Sequence, residues 1–282
     1  MIGEIMKECN IYVVTHKTME LSEKLTDAGF SLISVGNACG KNKQGFSDNV
    51  GDNISYKNAN YCELTALYWI WKNDEESEYK GLCHYRRFFS KGYFSHDIEN
   101  YMVDTDFINE FNKGIDIILP EKQYFIRSAE ENYLRCGYRK DLDITRTVLF
   151  EKYPEYLNEY DNVMNGNKSY LTNMFVAKKE IFDEYCKWLF DILFEVERRT
   201  DISDYSVQEA RIFGYISERL LTVWIWYNNY NYVEKHTINT DTPVNLSYVI
   251  TQFSIKIKLY QFAKTIIWKM KQLIGVKNDK DS

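Results

Sequence analysis

The stretch Tyr79-Lys-Gly-Leu-Cys-His-Tyr-Arg-Arg-Phe-Phe-Ser90 joins a short, largely apolar run to a cluster of polar and aromatic side chains. Lys80 to Cys83 are predicted to form a strand, so that the cluster lies at its end, where open α/β sheets bind their ligands. The cluster consists of His84, Tyr85, Arg86 and Arg87. Two adjacent guanidinium groups flanked by aromatic rings suit an anionic ligand with a planar ring, such as a nucleotide diphosphate. The alternative is a solvated turn with two surface arginines.

The composition is that of an ordinary soluble globular protein, with 45% hydrophobic and 27% charged residues in a chain of 282. Aromatic residues make up 16%, and tyrosine dominates them. Tyrosine-rich surfaces favour carbohydrate, nucleotide or protein partners, although an AT-rich genome would also enrich tyrosine. A net charge of −6 and a pI near 5.4 argue against a general nucleic-acid-binding protein.

The cysteines and the N-terminus indicate a cytoplasmic protein. Six cysteines are scattered singly, without a CxxC motif, which favours reduced thiols over disulfides or a zinc site. The first residues lack the apolar core of a signal peptide. No apolar run reaches the roughly 20 residues that a membrane span requires.

The first half of the chain has a β-α-β pattern. Ile11–Thr15 and Phe30–Val35 are predicted strands, and Glu20–Ala28 between them is predicted to be helical. This is the opening of a Rossmann-like unit, but the GxGxxG fingerprint is missing. A buried helix is predicted over Tyr61–Lys72. Asn60 would be its N-cap, with Glu63 as the capping-box partner rather than a catalytic acid.

The second half is predicted to continue the α/β pattern. Ile115–Pro120 is a further strand, and Ser169–Ala177 is a strand that passes into a long helix, Lys179–Arg199. Another helix is predicted over Tyr205–Trp226. No repeat or Pro/Gly-rich linker divides the chain, so residues 1–250 are predicted to form one domain.

The C-terminal tail, residues 251–282, has a different composition. Residues 252–276 contain five lysines and no acidic residue, set among large apolar side chains. Wound as a helix, this segment places one apolar stripe between lysines: Ile255, Leu259, Phe262, Ile266 and Met270. A basic amphipathic helix of this kind binds the surface of an anionic membrane. Docking on the chain's own domain or on a second subunit is the alternative.

Divalent metal binding is not favoured. The one Asp-x-Asp sequence, Asp104-Thr105-Asp106, lies where it is more typical of a helix cap. Arg86 and Arg87 could supply positive charge without a metal, because a guanidinium is permanently ionised. No Ser-His-Asp arrangement, P-loop or HExxH motif supports a hydrolase, a kinase or a zinc protease.

Long blocks of the chain, in matching order over roughly residues 10–230, resemble the family called domain of unknown function 4422. They are Ile11–Lys17, Asp52–Ser55 with Asn58, Tyr61–Asn73, Gly81–Phe89, Asn173–Lys179, Tyr185–Leu193 and Arg211–Leu220. Members of this family are typically capsular and exopolysaccharide biosynthesis proteins, treated as glycosyltransferases of the GT-A type. The resemblance implies an α/β, Rossmann-like GT-A domain with a central mixed sheet flanked by helices, followed here by the C-terminal amphipathic helix.

The resemblance further implies transfer of a sugar from a nucleotide-sugar donor, a UDP-sugar by preference. The acceptor would be a lipid-linked capsular, exopolysaccharide or O-antigen glycan at the inner face of the cell membrane. GT-A enzymes usually carry Asp-x-Asp at the end of a central strand, whereas this chain has the His84–Arg87 cluster there. A non-catalytic glycan- or nucleotide-binding subunit and a sugar-phosphate transferase are the alternatives.

Roles follow for the candidate site residues. The donor-binding residues are Thr15, His16, Lys17, Asp52, Asn53, Tyr85, Arg86 and Arg87. The residues expected to contact the acceptor or the transferred sugar are Asn173, Arg211 and Arg219. His84 could donate a proton to a phosphate or to the leaving group. Glu218 is the candidate general base for an inverting displacement, with an ion pair to Arg211 or Arg219 as the structural alternative.

Overall fold

The computed structural model describes residues 8–42, 45–92, 103–241, 246–258 and 265–266. Within these ranges the strands are β1 Cys9–Thr15, β2 Phe30–Ser34, β3 Phe46–Ser47, β4 Tyr79–His84, β5 Arg87–Ser90, β6 Ile117–Pro120, β7 Gln123–Tyr124, β8 Lys168–Ser169, β9 Phe175–Lys178 and β10 Tyr232–Asn239. The α-helices are α1 Glu23–Asp27, α2 Asn58–Tyr61, α3 Leu64–Asn73, α4 Phe107–Asn112, α5 Ala129–Tyr133, α6 Arg139–Lys152, α7 Leu157–Asn165, α8 Lys179–Arg199, α9 Ile212–Asn228 and α10 Leu246–Lys256.

The strands form one mixed sheet of eight strands, and β7 pairs with β8 in a separate ribbon. Strand β1 lies parallel between β2 and β4, and β3 extends the sheet beyond β2. Strand β4 also pairs antiparallel with β9, which in turn pairs antiparallel with β6. Strand β10 is parallel to β6 and antiparallel to β5. Because His84 pairs with Arg87, β5 joins back to β4 and closes this half of the sheet on itself.

Both faces of the sheet are covered around β1 and β2, which explains why these two strands are largely apolar. In β1, Ile11 and Val13 point into a core shared with α1 and α4. Tyr12 and Val14 point to the opposite face, into the larger core formed by α3 and by helices α6 to α9. This is the mixed α/β sheet flanked by helices that the sequence predicts.

The predicted helix over Tyr61–Lys72 differs from the structure at its start. Cys62 has a φ of 52°, a left-handed conformation that separates α2 from α3, so the helix begins at Leu64. The capping prediction is wrong, because the Asn60 side chain donates to the carbonyl oxygen of Ala210 and Glu63 makes no side-chain cap bond.

Two later predictions also need correction at their boundaries. Residues Ser169–Ala177 form two short strands, β8 and β9, because Thr172 and Asn173 have φ values of 86° and 53° and interrupt the extended backbone. The last long helix, α9, begins at Ile212 rather than Tyr205.

The C-terminal helix α10 packs on the β7 strand. Gln252 accepts from the backbone N–H of Tyr124 and donates to its carbonyl oxygen. The predicted domain boundary at residue 250 falls inside this helix. Ile255, expected on the exposed stripe, is buried, and Ile266 is exposed. The rest of that stripe (Leu259, Phe262 and Met270) lies outside the described residues. No helix in the described part of the chain has the length and hydrophobicity of a transmembrane span.

Candidate active site

Five chain segments meet at the edge of the sheet where β1 and β4 end. They are Thr15–Lys17, Cys62–Glu63, His84–Arg87, Thr172–Asn173 and Arg211–Arg219. Strand β9 brings the fourth of these to this edge, because β9 runs antiparallel to β4 with Leu82 opposite Phe175. The residues that precede β9 therefore lie beside those that end β4. The ligand-binding edge that the sequence predicts is thus assembled by the sheet topology.

The turn between β4 and β5 gathers positive charge around one aromatic ring. Tyr85 and Arg86 form this two-residue turn. The imidazole of His16 meets the Tyr85 ring edge-on with centroids 5.0 Å apart, and Lys17 Nζ lies 5.1 Å from the Tyr85 centroid. Partial burial lowers the pKa of His16, and the charges of Lys17, Arg86 and Arg211 lower it further. The edge is therefore electropositive.

The two arginines of this turn differ in their partners. Arg86 forms an ion pair with Asp241 at 3.4 Å, but both side chains are more than 40% exposed, so the pair is weak. Among the residues that the structure describes, none forms an ion pair with Arg87. The charge of Arg87 lowers the pKa values of Glu218 and His84, so Arg87 lies near both groups. Within the described ranges, neither guanidinium is held in a buried salt bridge.

His84 ends β4, and its ring is held by the chain itself. His84 Nε2 lies 2.6 Å from the carbonyl oxygen of Thr172. Since a carbonyl oxygen only accepts, Nε2 carries the hydrogen. Burial lowers the pKa of His84, against the opposing effects of Glu63 and the Thr172 carbonyl. The sequence predicts that His84 donates a proton to a phosphate or to the leaving group. A neutral His84 could donate its Nε2 proton only by first breaking the hydrogen bond to Thr172.

Glu218 lies on α9 with both carboxylate oxygens engaged. Oε1 accepts from the backbone N–H of Thr172 at 2.9 Å, and Oε2 accepts from Arg219 at 2.7 Å. The side chain is 17% exposed. Burial raises the pKa of Glu218, while the Arg219 guanidinium and the Thr172 N–H oppose that rise. The ion pair considered as a structural alternative is therefore present.

Arg219 and Arg211 occupy different positions. Arg219 is buried, and its guanidinium also donates to the Tyr215 carbonyl oxygen and to the Asn132 side chain. It therefore supports the α9 helix from inside, and a contact with an acceptor is not available to it. Arg211 is half-buried at the start of α9, and its Nε lies 3.0 Å from Cys62 Sγ. Only Arg211 remains open to a ligand.

Glu63 is a site residue that sequence analysis assigned to a helix cap. Its Oε1 accepts from Asn173 Nδ2 at 2.7 Å. Asn173 Nδ2 also lies 3.3 Å from the Gly214 carbonyl oxygen, and Asn173 Oδ1 accepts from Ser217 at 2.9 Å. Asn173 is thus a buried link between Glu63 and α9, rather than a residue that contacts a sugar directly.

Backbone strain is concentrated at this edge. In the described ranges, five residues other than glycine have a positive φ, and Cys62, Thr172 and Asn173 are three of them. Such conformations cost of order 1–3 kcal/mol each and cluster at functional sites. The surrounding hydrogen bonds hold these segments in place, and this concentration of strained backbone marks the edge as the candidate active site.

Three donor-binding candidates would not contact a ligand at this edge: one is buried under the turn after β1, and two lie away from the edge. Thr15 is buried, and its hydroxyl bonds to the backbone of Lys17, so it shapes the turn after β1. Asp52 accepts from Tyr68, and Asn53 bonds within its own loop. Asp52 is tied to Asn73 at the far end of α3, about 15 Å of helix from the end near Glu63. The structure does not bring Asp52 and Asn53 into the cluster.

The residues present do not fit a divalent cation. Arginines occupy the strand end where an Asp-x-Asp motif would neutralise a diphosphate. Asp104 forms a buried ion pair with Lys235 at 2.6 Å, and Asp106 precedes α4. In the described part of the chain, no group of three or more His, Cys, Asp or Glu side chains is arranged to hold a metal ion.

The chain belongs to the family described as "Domain of unknown function (DUF4422)", which it matches over residues 10–229. This confirms the family predicted from the sequence. The solved apo structure of the WbbM bifunctional glycosyltransferase is similar, with 30% sequence identity and a TM-score of 0.69. The match covers 84% of this chain and 46% of WbbM, so the chain spans less than half of that protein. The predicted glycosyltransferase-like α/β fold is confirmed.

Two structures of the mannosyltransferase Ktr4p from S. cerevisiae, one in complex with GDP, are more distant. Each has 11% identity and a TM-score of 0.31, and they cover 74% and 73% of this chain and 66% and 65% of Ktr4p. At this distance the likeness says nothing about function. No curated protein sequence matches the chain significantly.

Proposed function

We propose that the protein is a glycosyltransferase that uses a nucleotide-sugar donor. One observation carries the proposal: Lys17, Arg86 and Arg87 lie at the same sheet edge as two carboxylates, Glu63 and Glu218. Cations can stabilise the diphosphate that leaves, and a carboxylate can accept the proton of an attacking hydroxyl group. The structural similarity to WbbM, a glycosyltransferase, supports this enzyme class.

On the donor side, the protein would act by electrostatic stabilisation. Negative charge grows on the leaving diphosphate as the glycosidic bond breaks, and fixed guanidinium groups stabilise that charge without rearranging. Arg87 has no competing ion pair among the described residues, so its charge is available to a ligand. Tyr85 offers a ring on which a base can stack, next to His16 and Lys17.

The donor and acceptor classes that we propose are those that the sequence resemblance implies. We propose a UDP-sugar as donor and a growing lipid-linked capsular, exopolysaccharide or O-antigen glycan as acceptor. This places the enzyme in the cytoplasm, at the inner face of the cell membrane.

Donor binding tests the proposal directly. In a thermal-shift screen of UDP-, GDP- and dTDP-sugars, we expect a UDP-sugar to stabilise the protein, by about 2.7 kcal/mol at a concentration 100 times its Kd. The same donor should be transferred to a lipid-linked glycan extract, detected by mass spectrometry. Stabilisation by glycans but by no nucleotide sugar would instead support a non-catalytic glycan-binding subunit.

Helix α10 supports the membrane part of the proposal. Leu246, Ile250, Phe253 and Ile257 recur at intervals of four, three and four residues, and each is at least 50% exposed. They therefore form one apolar face, which we call the α10 stripe. Tyr248, on another face of the same helix, is near enough to Glu121 and Arg87 to be affected by their charges, so α10 passes close to the active-site edge. The lysine-rich sequence of residues 252–276 continues from it and complements anionic lipid headgroups.

Polar substitutions in the α10 stripe should weaken membrane binding. Ile250→Ser with Phe253→Ser is expected to lower the affinity for anionic phospholipid vesicles about tenfold or more, because each lost apolar side chain removes up to about 1.5 kcal/mol of burial. Co-sedimentation with vesicles measures the affinity. Phe150→Ser, which changes an equally exposed apolar residue on α6, is the matched control. Equal binding by all three proteins would refute the membrane contact.

A further inference from the structure

The two carboxylates of the active-site edge differ in how they are engaged. Both oxygens of Glu218 accept strong hydrogen bonds, one from a backbone N–H and one from a buried guanidinium. For Glu63, one oxygen accepts from Asn173. Its second oxygen, Oε2, has no hydrogen-bond partner among the described residues. Within the described ranges, Glu63 is therefore the one of these two carboxylates with an oxygen that accepts no hydrogen bond, so a substrate hydroxyl would meet no competing donor there.

The orientation of the Asn173 amide is determined by its partners. A carboxylate oxygen and a carbonyl oxygen, from Glu63 and Gly214, both lie near Nδ2, and each can only accept. Ser217 donates to Oδ1 on the other side of the amide. Reversing the amide would set its oxygen against two acceptors. Asn173 therefore donates to Glu63 and holds its carboxylate in one position.

The backbone around this pair is held in the same way. Glu63 directly follows Cys62, which has a positive φ, and both Asn173 and the preceding Thr172 have positive φ values. The charge of Glu63 affects the pKa values of His84 and Glu218, so Glu63 lies between the end of β4 and helix α9. The Glu63 carboxylate is thus near His84, the residue that ends β4 and precedes the arginine-bearing turn.

We propose that Glu63, and not Glu218, is the general base of the transferase, with Asn173 as its positioning residue. This inference rests on the proposed function. The acceptor hydroxyl oxygen attacks the anomeric carbon, and the bond from that carbon to the diphosphate oxygen breaks with its electron pair leaving on the diphosphate. The hydroxyl proton passes to Glu63 Oε2. The displacement inverts the configuration at the anomeric carbon.

Paired substitutions separate the two carboxylates. Glu63→Gln keeps an oxygen that can accept from Asn173 but removes the base, so kcat should fall about 10²- to 10⁴-fold with the donor KM nearly unchanged. Glu218→Gln is the matched variant. Its kcat, calculated per folded protein, should fall less than tenfold. Steady-state kinetics with the donor identified by the screen measure both. NMR of the product reports whether the configuration is inverted.

Asn173→Asp tests the positioning role by a readout that a structural role would not change. Asn and Asp both tolerate the left-handed backbone of this position. The new carboxylate next to Glu63 would raise the pKa of that group, because two adjacent carboxylates resist joint ionisation. We expect the acid limb of the kcat–pH profile to move upward by one pH unit or more, with activity returning towards the wild-type value at high pH.

The outcomes are distinct. A Glu63→Gln variant with wild-type kcat, or a Glu218→Gln variant that alone loses a hundredfold, would overturn the assignment of Glu63. An Asn173→Asp profile with an unmoved acid limb would overturn the positioning role, and a retained configuration would overturn the direct displacement. A wild-type protein that transfers no sugar from any nucleotide donor would refute the proposed function itself, and the role of Glu63 with it.

Discussion

Replacing Arg87 with alanine is expected to lower kcat/KM for the nucleotide-sugar donor about 30- to 150-fold, because a charge-assisted hydrogen bond of about 2–3 kcal/mol to the diphosphate is lost. The basis is structural. Arg87 begins β5 at the active-site edge, its charge reaches Glu218 and His84, and no described residue forms an ion pair with it. Steady-state kinetics with varied donor concentration measure the effect.

Three further variants give this experiment its controls. Arg87→Lys keeps the positive charge but loses the bidentate hydrogen-bond geometry of the guanidinium group. Its kcat/KM should therefore lie between the values for wild type and Arg87→Ala. Arg86→Ala should have a smaller effect on kcat/KM, since Arg86 already pairs with Asp241. Arg127→Ala removes an exposed arginine paired with Glu131 elsewhere, and it should leave kinetics unchanged. If Arg87→Ala binds and uses the donor like wild type, the diphosphate assignment is wrong.

Apolar patterning predicted the strands well, because their environment is uniform. Strands β1, β2 and β4 are buried on both faces, so their apolar runs stand out against polar loops. The helix starts were harder to predict. Cys62 has a positive φ although it is not glycine, so its residue type gives no sign that the helix is interrupted there. Capping rules therefore assigned Asn60 and Glu63 to a helix terminus that begins elsewhere.

Positions relative to strand ends predicted part of the site. His84 to Arg87 lie at the active-site edge, as the end of the predicted strand before them indicated. Glu218 also lies at this edge, and it belongs to a segment that resembles the family. The sequence did not reveal which of the candidate side chains are buried. Arg219 is next to Glu218 in the sequence, but its side chain is buried in the core. Asp52 accepts a hydrogen bond from Tyr68 and so connects its loop to α3. The pairing of Glu63 with Asn173 spans 110 residues and depends on the tertiary fold alone.

Gly81 gives the second large expected effect, this time on stability. It lies in the middle of β4, opposite Val176 of β9. A Cβ atom at this position would meet Val176 Cγ2 at 2.7 Å and the Phe175 carbonyl oxygen at 3.1 Å. Gly81→Ala is therefore expected to lower the free energy of unfolding by about 1–3 kcal/mol, the usual cost of overpacking a buried site. Urea denaturation followed by circular dichroism measures it.

A double variant tests whether the overlap with Val176 is the cause. Val176→Ala removes both methyl groups and alone should cost about 2 kcal/mol through the cavity it leaves. In Gly81→Ala with Val176→Ala, the new methyl group occupies part of that cavity, so the combined cost should be smaller than the sum by about 1 kcal/mol or more. Gly92→Ala is the control and should change stability by less than about 0.5 kcal/mol, because the added Cβ meets no atom of the described residues within 4 Å. Strictly additive costs would show that the two positions do not interact.

The Gly81 variants also connect the fold to the site. Strands β4 and β9 pair at Gly81. Towards the active-site edge, β4 ends at His84, and Asn173 lies two residues before the start of β9. If overpacking separates the two strands, the distance between the arginine-bearing turn and the Glu63–Asn173 pair must change. Gly81→Ala should therefore lose both stability and kcat, and Val176→Ala should restore part of each together. Arg87→Ala, by contrast, should lose activity while its urea midpoint stays at the wild-type value. A Gly81→Ala protein that is destabilised but fully active would show that the site tolerates movement between β4 and β9.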